Sequence, residues 1–285
     1  MKNVLLASAA ALIFASCQQA ATPEADGKAA EQVTAKSDKA KPVKAAAEDI
    51  GNRGDVMMAI QSHDRLEADL ENDVPRKAAA VLEFSGVRPG MTVVELEAGS
   101  GYYTELLSRI VGKDGKVYMQ NPLAFDAFFK PGAFDERLGK DGKRLGNVSH
   151  VRDDFFALSA ETGSADLVTW ILGPHELWLA NKEGELDLGM PEDVYAEIVR
   201  VLKPGGKLVL LDHKAAPGSP VTTGGDTHRI DPAHVQKFAE DAGLVLEKTS
   251  DILASKTDDY AKNVFNPEVR RKTDRFLHMY VKPTH

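Results

Sequence analysis

Between Thr92 and Ser108 the chain reads TVVELEAGSGYYTELLS. A run of β-formers ends at Glu95. Gly99 and Gly101 then break the backbone, and a helical pattern carrying Leu106 and Leu107 begins at once. That order predicts a buried strand, a tight turn and a helix N-terminus, where free backbone N–H groups and the helix dipole attract a ligand. A strand apolar along its whole length must be covered on both faces, which points to a parallel sheet between helical layers.

The same alternation continues downstream. Strands are predicted at Val117–Gln120, Asn147–Arg152, Asp166–Leu172, Lys207–Leu211, Leu244–Lys248 and Arg275–Val281. Helical spacing is predicted over Asp49–Asp73, Arg76–Phe84, Thr104–Val111, Leu123–Phe134, Pro191–Leu202 and Asp231–Ala242. Pro232 suits the first turn of the last of these, and Asp231 is placed to cap it. Short strands alternating with helices define an α/β fold, a doubly wound, mostly parallel Rossmann-like sheet with helices on both faces. Ligands in such sheets bind at the carboxyl ends of the strands.

The first residues have another purpose. Met1–Cys17, MKNVLLASAAALIFASC, has Lys2, an apolar run over Val4–Ala15 and small residues before the cysteine. That is the pattern of a signal peptide, and the run is shorter than the roughly 20 residues of a membrane span. It resembles a bacterial lipoprotein signal, with Cys17 as the lipidation site and Phe14 in place of the usual leucine. Lipid anchoring implies an exported, periplasmic protein held to the outer membrane, since Gln18 rather than Asp follows Cys17. Residues 18–48 are rich in Ala, Lys, Glu, Thr and Pro and hold no aromatic residue, so they are expected to be a disordered linker. Residues 49–285 form the folded domain.

Composition excludes several classes. A net charge of −8 over 285 residues supplies no basic face for nucleic acid. Cys17 is the single cysteine, so the domain has no disulfide, cysteine nucleophile or cysteine metal site. The eight histidines show no metal-ligand spacing, and no metal is expected. Thr104 stands where a dinucleotide fingerprint needs its third glycine, and no nucleophile elbow is present.

The order Pro89-Gly90-Met91, VVELEAGSGYYTELLS, GKVYMQNP, ADLVTW, VLKPGGKLVLLDH and EDAGLVLEK resembles class I S-adenosylmethionine-dependent methyltransferases, in particular a group of bacterial members of unassigned substrate. The resemblance runs from about Pro75 to Pro283. It implies S-adenosyl-L-methionine as cofactor and a small-molecule acceptor. It matches Glu95 to the acid that ends the first strand, and Gly99 and Gly101 to the glycines of the cofactor turn. Glu97 replaces the family's first glycine, where a carboxylate either faces the cofactor's cationic groups or partly fills the site. Gln120 and Asn121 replace the acid that usually holds the ribose hydroxyls. Asp153 or Asp154 matches the position that reads the adenine amino group, a place where Asp also occurs as a turn residue.

For catalysis, His175 follows the fourth strand at the same sheet edge, either as a general base titrating near neutrality or as a hydrogen-bonded loop histidine. Asp212-His213 ends the fifth strand there. His228-Arg229-Ile230-Asp231 reads as a helix cap rather than cleft lining. Two functions follow. The first is methyl transfer to an unidentified acceptor, chemistry that needs mostly proximity and orientation. The second is a lipid-anchored, non-catalytic ligand-binding module on the same fold, motivated by Glu97, Gln120 and an export signal that separates the domain from cytoplasmic cofactor. The membrane is met through the anchor only. The sequence leaves the oligomeric state open.

Overall fold

The computed structural model describes residues 50–179 and 188–284. The signal, Cys17 and the 18–48 linker lie outside the described residues. Seven strands form one sheet: β1 Thr92–Leu96, β2 Lys116–Gln120, β3 Val148–Val151, β4 Ala165–Ile171, β5 Leu202–His213, β6 Val245–Ser250 and β7 Arg275–Val281. Their spatial order is β3-β2-β1-β4-β5-β7-β6. The first five pair in parallel, and β7 inserts antiparallel between β5 and β6. The chain order reverses at β1 and β4, so a crevice opens beyond their carboxyl ends.

Period-two alternation builds two cores. Val94, Val168, Leu208 and Leu210 face one way, against the helices Pro191–Val201 and Pro232–Asp241. Val93, Leu167, Val209 and Leu211 face the other, against Arg53–Ile60, Ala78–Ser85 and Tyr102–Val111. Each fully buried Val, Leu or Ile contributes about 1.5–3 kcal/mol, which explains why every strand of this sheet's centre is apolar on both faces.

Three expected elements differ. The region read as helix over Asp49–Asp73 is broken into short turns, with helix only over Arg53–Ile60, Glu67–Leu70 and Asp73–Arg76. Its charged residues make tertiary ion pairs, such as Arg65 with Asp73 at 2.7 Å, instead of a continuous helical face. Leu123–Phe134 holds one 3-10 segment, Leu123–Phe128, because its phenylalanines pack on one another and on His150 as a cluster. The Lys203-Pro204-Gly205-Gly206 turn lies within β5. The pairing with β4 jumps from Ala165–Leu202 to Leu167–Lys207, and Gly205 has φ +77° at the excursion.

Candidate functional site

The turn after β1 is the centre of the site. Glu97, Gly99 and Gly101 all have positive φ, at +51°, +58° and +84°. A Cβ on Gly99 would meet open space, whereas one on Gly101 would lie 3.0 Å from Met119 Cε, 3.1 Å from Arg137 Cγ and 3.2 Å from Thr104 Oγ1. Gly99 therefore leaves room for something outside the fold, and Gly101 lets the helix that follows close against β2.

Gln120 and Asn121 are wholly buried, and both amides are engaged by the turn. Gln120 Oε1 accepts from the Glu97 amide at 2.8 Å, and its Nε2 donates to the Asp153 carbonyl at 2.6 Å. Asn121 Oδ1 accepts from the Gly99 amide at 2.8 Å, and its Nδ2 donates to the Gly99 carbonyl at 3.1 Å. These amides thus tie the turn's backbone to the end of β2 and to Asp153. Asp153 Oδ2 accepts from the Ser159 amide at 2.7 Å, as a turn residue does. Asp154 is exposed, and its carbonyl accepts from Ala157.

Glu95 is buried at the end of β1 and accepts a hydrogen bond from Thr104. Burial pushes its carboxyl up to about 8, with Thr104, Arg137 and Arg76 opposing. Glu97 Oε2 accepts from Trp170 Nε1 at 3.1 Å. Burial and then the Glu176 carboxylate hold Glu97 well above the usual carboxylate range. Gly173 is required here, because a Cβ would collide with both Trp170 Nε1 and Glu97 Oε2. A cavity of about 140 Å³ lies against this turn, bounded by Arg76, Glu95, Glu97, Gly99, Tyr102 and Tyr103. Both tyrosines are buried and meet edge to face at 4.9 Å, with the Arg76 guanidinium 4.6 Å from the Tyr102 ring centre. A larger groove of about 840 Å³ runs past Lys113, Lys116 and Asn147. It lies at the amino end of β2, away from the edge where sheets of this kind bind ligands.

Arg137, on the short helix Asp135–Leu138 between β2 and β3, was not singled out by sequence. It is buried and pairs with Asp69 through two bonds of 2.6 and 2.9 Å, bonds Glu105, and donates to the Ser100 carbonyl at 3.0 Å. Glu105 also receives Arg144 at 2.6 Å and Arg109 at 2.8 Å. A four-residue helix is too short to carry a periodic signal, so only the fold shows that this cation braces the turn after β1.

His175 is buried after β4. Its Nδ1 lies 2.8 Å from Asp212 Oδ1, and its amide donates to Asp212 Oδ2 at 2.8 Å. Burial alone would lower its pKa, but Asp212 and Glu176 raise it to about 10. The two carboxylates thus make this ring more basic than an ordinary imidazole. His213 pairs with Thr273 at 2.7 Å. Asp231 caps its helix through the Ala233 amide at 3.0 Å, as expected. His228 instead reaches the His175 cluster, at 3.2 Å.

The strand order and the acid–glycine turn after β1 define the class I methyltransferase architecture. The chain belongs to the ubiE/COQ5 methyltransferase family, whose model matches residues 33–222. A ubiquinone/menaquinone biosynthesis C-methyltransferase of Shewanella pealeana is 35% identical over 131 residues, 46% of this chain and 46% of that protein. The chain thus matches about half the length of such curated relatives. A SAM-dependent methyltransferase from Aquifex aeolicus superposes with a TM-score of 0.52 at 22% identity, over 78% of this chain and 96% of that one. A geranyl diphosphate C-methyltransferase from Streptomyces coelicolor, solved with Mg2+, geranyl diphosphate and S-adenosyl-L-homocysteine, gives 0.53 at 15%, over 79% and 88%. Both likenesses are of fold.

Proposed function

We propose that the chain is an S-adenosylmethionine-dependent methyltransferase acting on a small-molecule acceptor. The observation that carries the reading is the Glu97–Gly101 turn, with its three left-handed residues and open space at Gly99. The polar groups beside it fit the cofactor's amino-acid end: Arg76 for a carboxylate, and the Glu95 and Glu97 carboxyl oxygens as acceptors for its amino group. At about 140 Å³ the cavity suits that end alone, since whole ligand pockets run to about 300 Å³ or more. When bound, the cofactor supplies an electrophilic methyl group on sulfur, which is transferred to the acceptor's nucleophile. Arg76, Glu95 and Glu97 bind and orient, and the buried Trp170 fixes the Glu97 carboxyl. Tyr102, Tyr103 and Trp170 exclude water from that end of the crevice. The work is positioning, which suits in-line transfer.

The family and the C-methyltransferase activity of its relatives support carbon as the acceptor atom. Export and lipidation at Cys17 complete the proposal and rest on the sequence pattern. Among the described residues no helix is long and apolar enough to cross a membrane.

Calorimetric titration of the folded domain lacking Met1–Glu48 with S-adenosylmethionine and S-adenosylhomocysteine tests the first part. Micromolar binding is expected. No binding at millimolar concentration by folded protein would leave the ligand-binding module as the better reading. Labelled palmitate tests the anchor: wild type should take up label and fractionate with membranes, and Cys17→Ala should do neither. An unlabelled, soluble wild type would defeat lipidation.

A further inference from the structure

Where β4 and β5 end, three chain segments bring metal-binding side chains together. His175 and Glu176 sit on the single turn Pro174–Trp178, and His228 ends the short helix Thr223–Thr227. Two glycines let these segments touch: a Cβ on Gly224 would collide with the His175 carbonyl, and one on Gly225 with the Trp178 carbonyl. As a result His175 Nε2, Glu176 Oε1 and His228 Nδ1 form a triangle with edges of 3.1, 3.2 and 3.1 Å.

Hydrogen bonds use such a triangle poorly. Seen from one corner the other two lie about 60° apart, while an imidazole nitrogen has a single in-plane direction for its proton or lone pair. A cation over the centre of the triangle satisfies all three atoms at once. With metal–nitrogen distances of about 2.0–2.1 Å, neighbouring ligands of a tetrahedral or octahedral site stand roughly 2.9–3.4 Å apart, which is the spacing found. Glu176 Oε2 is buried and has no hydrogen-bond partner, so a second carboxylate oxygen is free to share the load. Behind His175, Asp212 Oδ1 sits 2.8 Å from Nδ1. That contact assigns the proton to Nδ1 and leaves Nε2 as the ligand, the carboxylate–histidine arrangement that orients metal-bound imidazoles. The Phe265 ring packs edge-on against His228, 4.8 Å between centres.

We infer that His175, Glu176 and His228 bind one divalent transition-metal ion, with Asp212 orienting His175. Two imidazoles and one carboxylate suit Zn2+, Co2+ or Fe2+ over Mg2+ or Ca2+. Three protein ligands leave a coordination position for water or a substrate atom. The sequence could not show this site, since 52 residues separate Glu176 from His228.

The full chain, stripped with chelator and dialysed, is titrated with Zn2+ alone and with Mg2+ alone, in the absence of any methyl donor. One equivalent of Zn2+ should bind with a dissociation constant below about 1 µM, and Mg2+ at least about 100-fold more weakly. Glu176→Gln and His228→Gln should each weaken Zn2+ by about 100-fold or more, and Asp212→Asn by about 10–100-fold. X-ray absorption on zinc-loaded wild type gives a readout that no variant's folding affects; nitrogen and oxygen donors with imidazole scattering are expected. Folded wild type that binds no Zn2+ up to millimolar concentration overturns the inference. So does undiminished binding by His228→Gln, or a ligand shell without imidazole. None of these outcomes bears on cofactor binding, which the separate titration decides.

Discussion

The Glu97 amide donates to Gln120 Oε1 at 2.8 Å. The residue that departs from glycine in the turn is thus held in its left-handed conformation by the side chain that ends the next strand. A left-handed conformation costs a non-glycine residue about 1–2 kcal/mol, and this bond, inside a buried amide bridge to the Asp153 carbonyl, offsets much of it.

Gln120→Ala removes both bonds and leaves a partly buried N–H and carbonyl without this partner. A loss of about 2 kcal/mol is expected, read by urea unfolding, together with weaker S-adenosylmethionine binding in calorimetry. A variant as stable as wild type would show that the turn holds itself.

The two glycines of the turn should separate stability from binding. Gly101→Ala combines left-handed strain with contacts of 3.0–3.2 Å to Met119, Arg137 and Thr104, so a cost of about 2–3 kcal/mol is expected. Gly99→Ala meets only the strain, about 1 kcal/mol, but places a methyl group in the open space, and its cofactor titration should be the more damaged of the two. Thermal melts paired with calorimetry decide the ordering.

Stability should fall as pH rises through the neutral range. Glu95 holds its proton to about 8 when folded, against an ordinary value of 4.5. Its contribution is complete below about pH 4.5. Above that the unfolded chain releases a proton that the folded one keeps, and each pH unit up to about 8 costs about 1.4 kcal/mol. The difference between wild type and Glu95→Gln isolates Glu95: the variant should lose the slope between about pH 5 and 8. Parallel stability curves for the two proteins would contradict the assignment.

Arg137→Met strips Asp69 of a two-bond partner in a buried setting. Breaking one half of a buried pair costs about 3–5 kcal/mol. In a double-mutant cycle, Asp69→Asn should cost much less in the Arg137→Met background than in wild type. Additive costs would place the bracing elsewhere, on Glu105 with Arg144 and Arg109.

What the sequence revealed was contiguous, and what it hid was assembled across distance. The β1 turn is spelled by neighbouring residues, so Glu95, Gly99 and Gly101 could be placed from Thr92–Ser108, and the parallel alternation followed from apolar runs. The role of Gln120 and Asn121 depends on which backbone atoms lie within 3 Å, and no motif records that. His175 was legible as a residue at the right sheet edge. Its character was not, because Asp212 and Glu176 set the charge of its ring, and His228 joins it through two glycines whose importance lies in what a Cβ would strike. Arg137 comes from a single helical turn, Asp135–Leu138, too short for periodicity to show, and its partners Asp69 and Glu105 lie 68 and 32 residues away.

The antiparallel insertion of β7 imposes a timetable on synthesis. Among the described residues β6 has β7 as its one strand neighbour in the sheet, and β7 fills the edge of β5. A ribosome delivers β6 before β7, so β6 has nowhere to dock until Arg275–Val281 has emerged. Until then the apolar edge of β5 stands open to any extended segment that meets it. A released chain truncated before Arg275 should therefore be digested by a protease that the full chain resists.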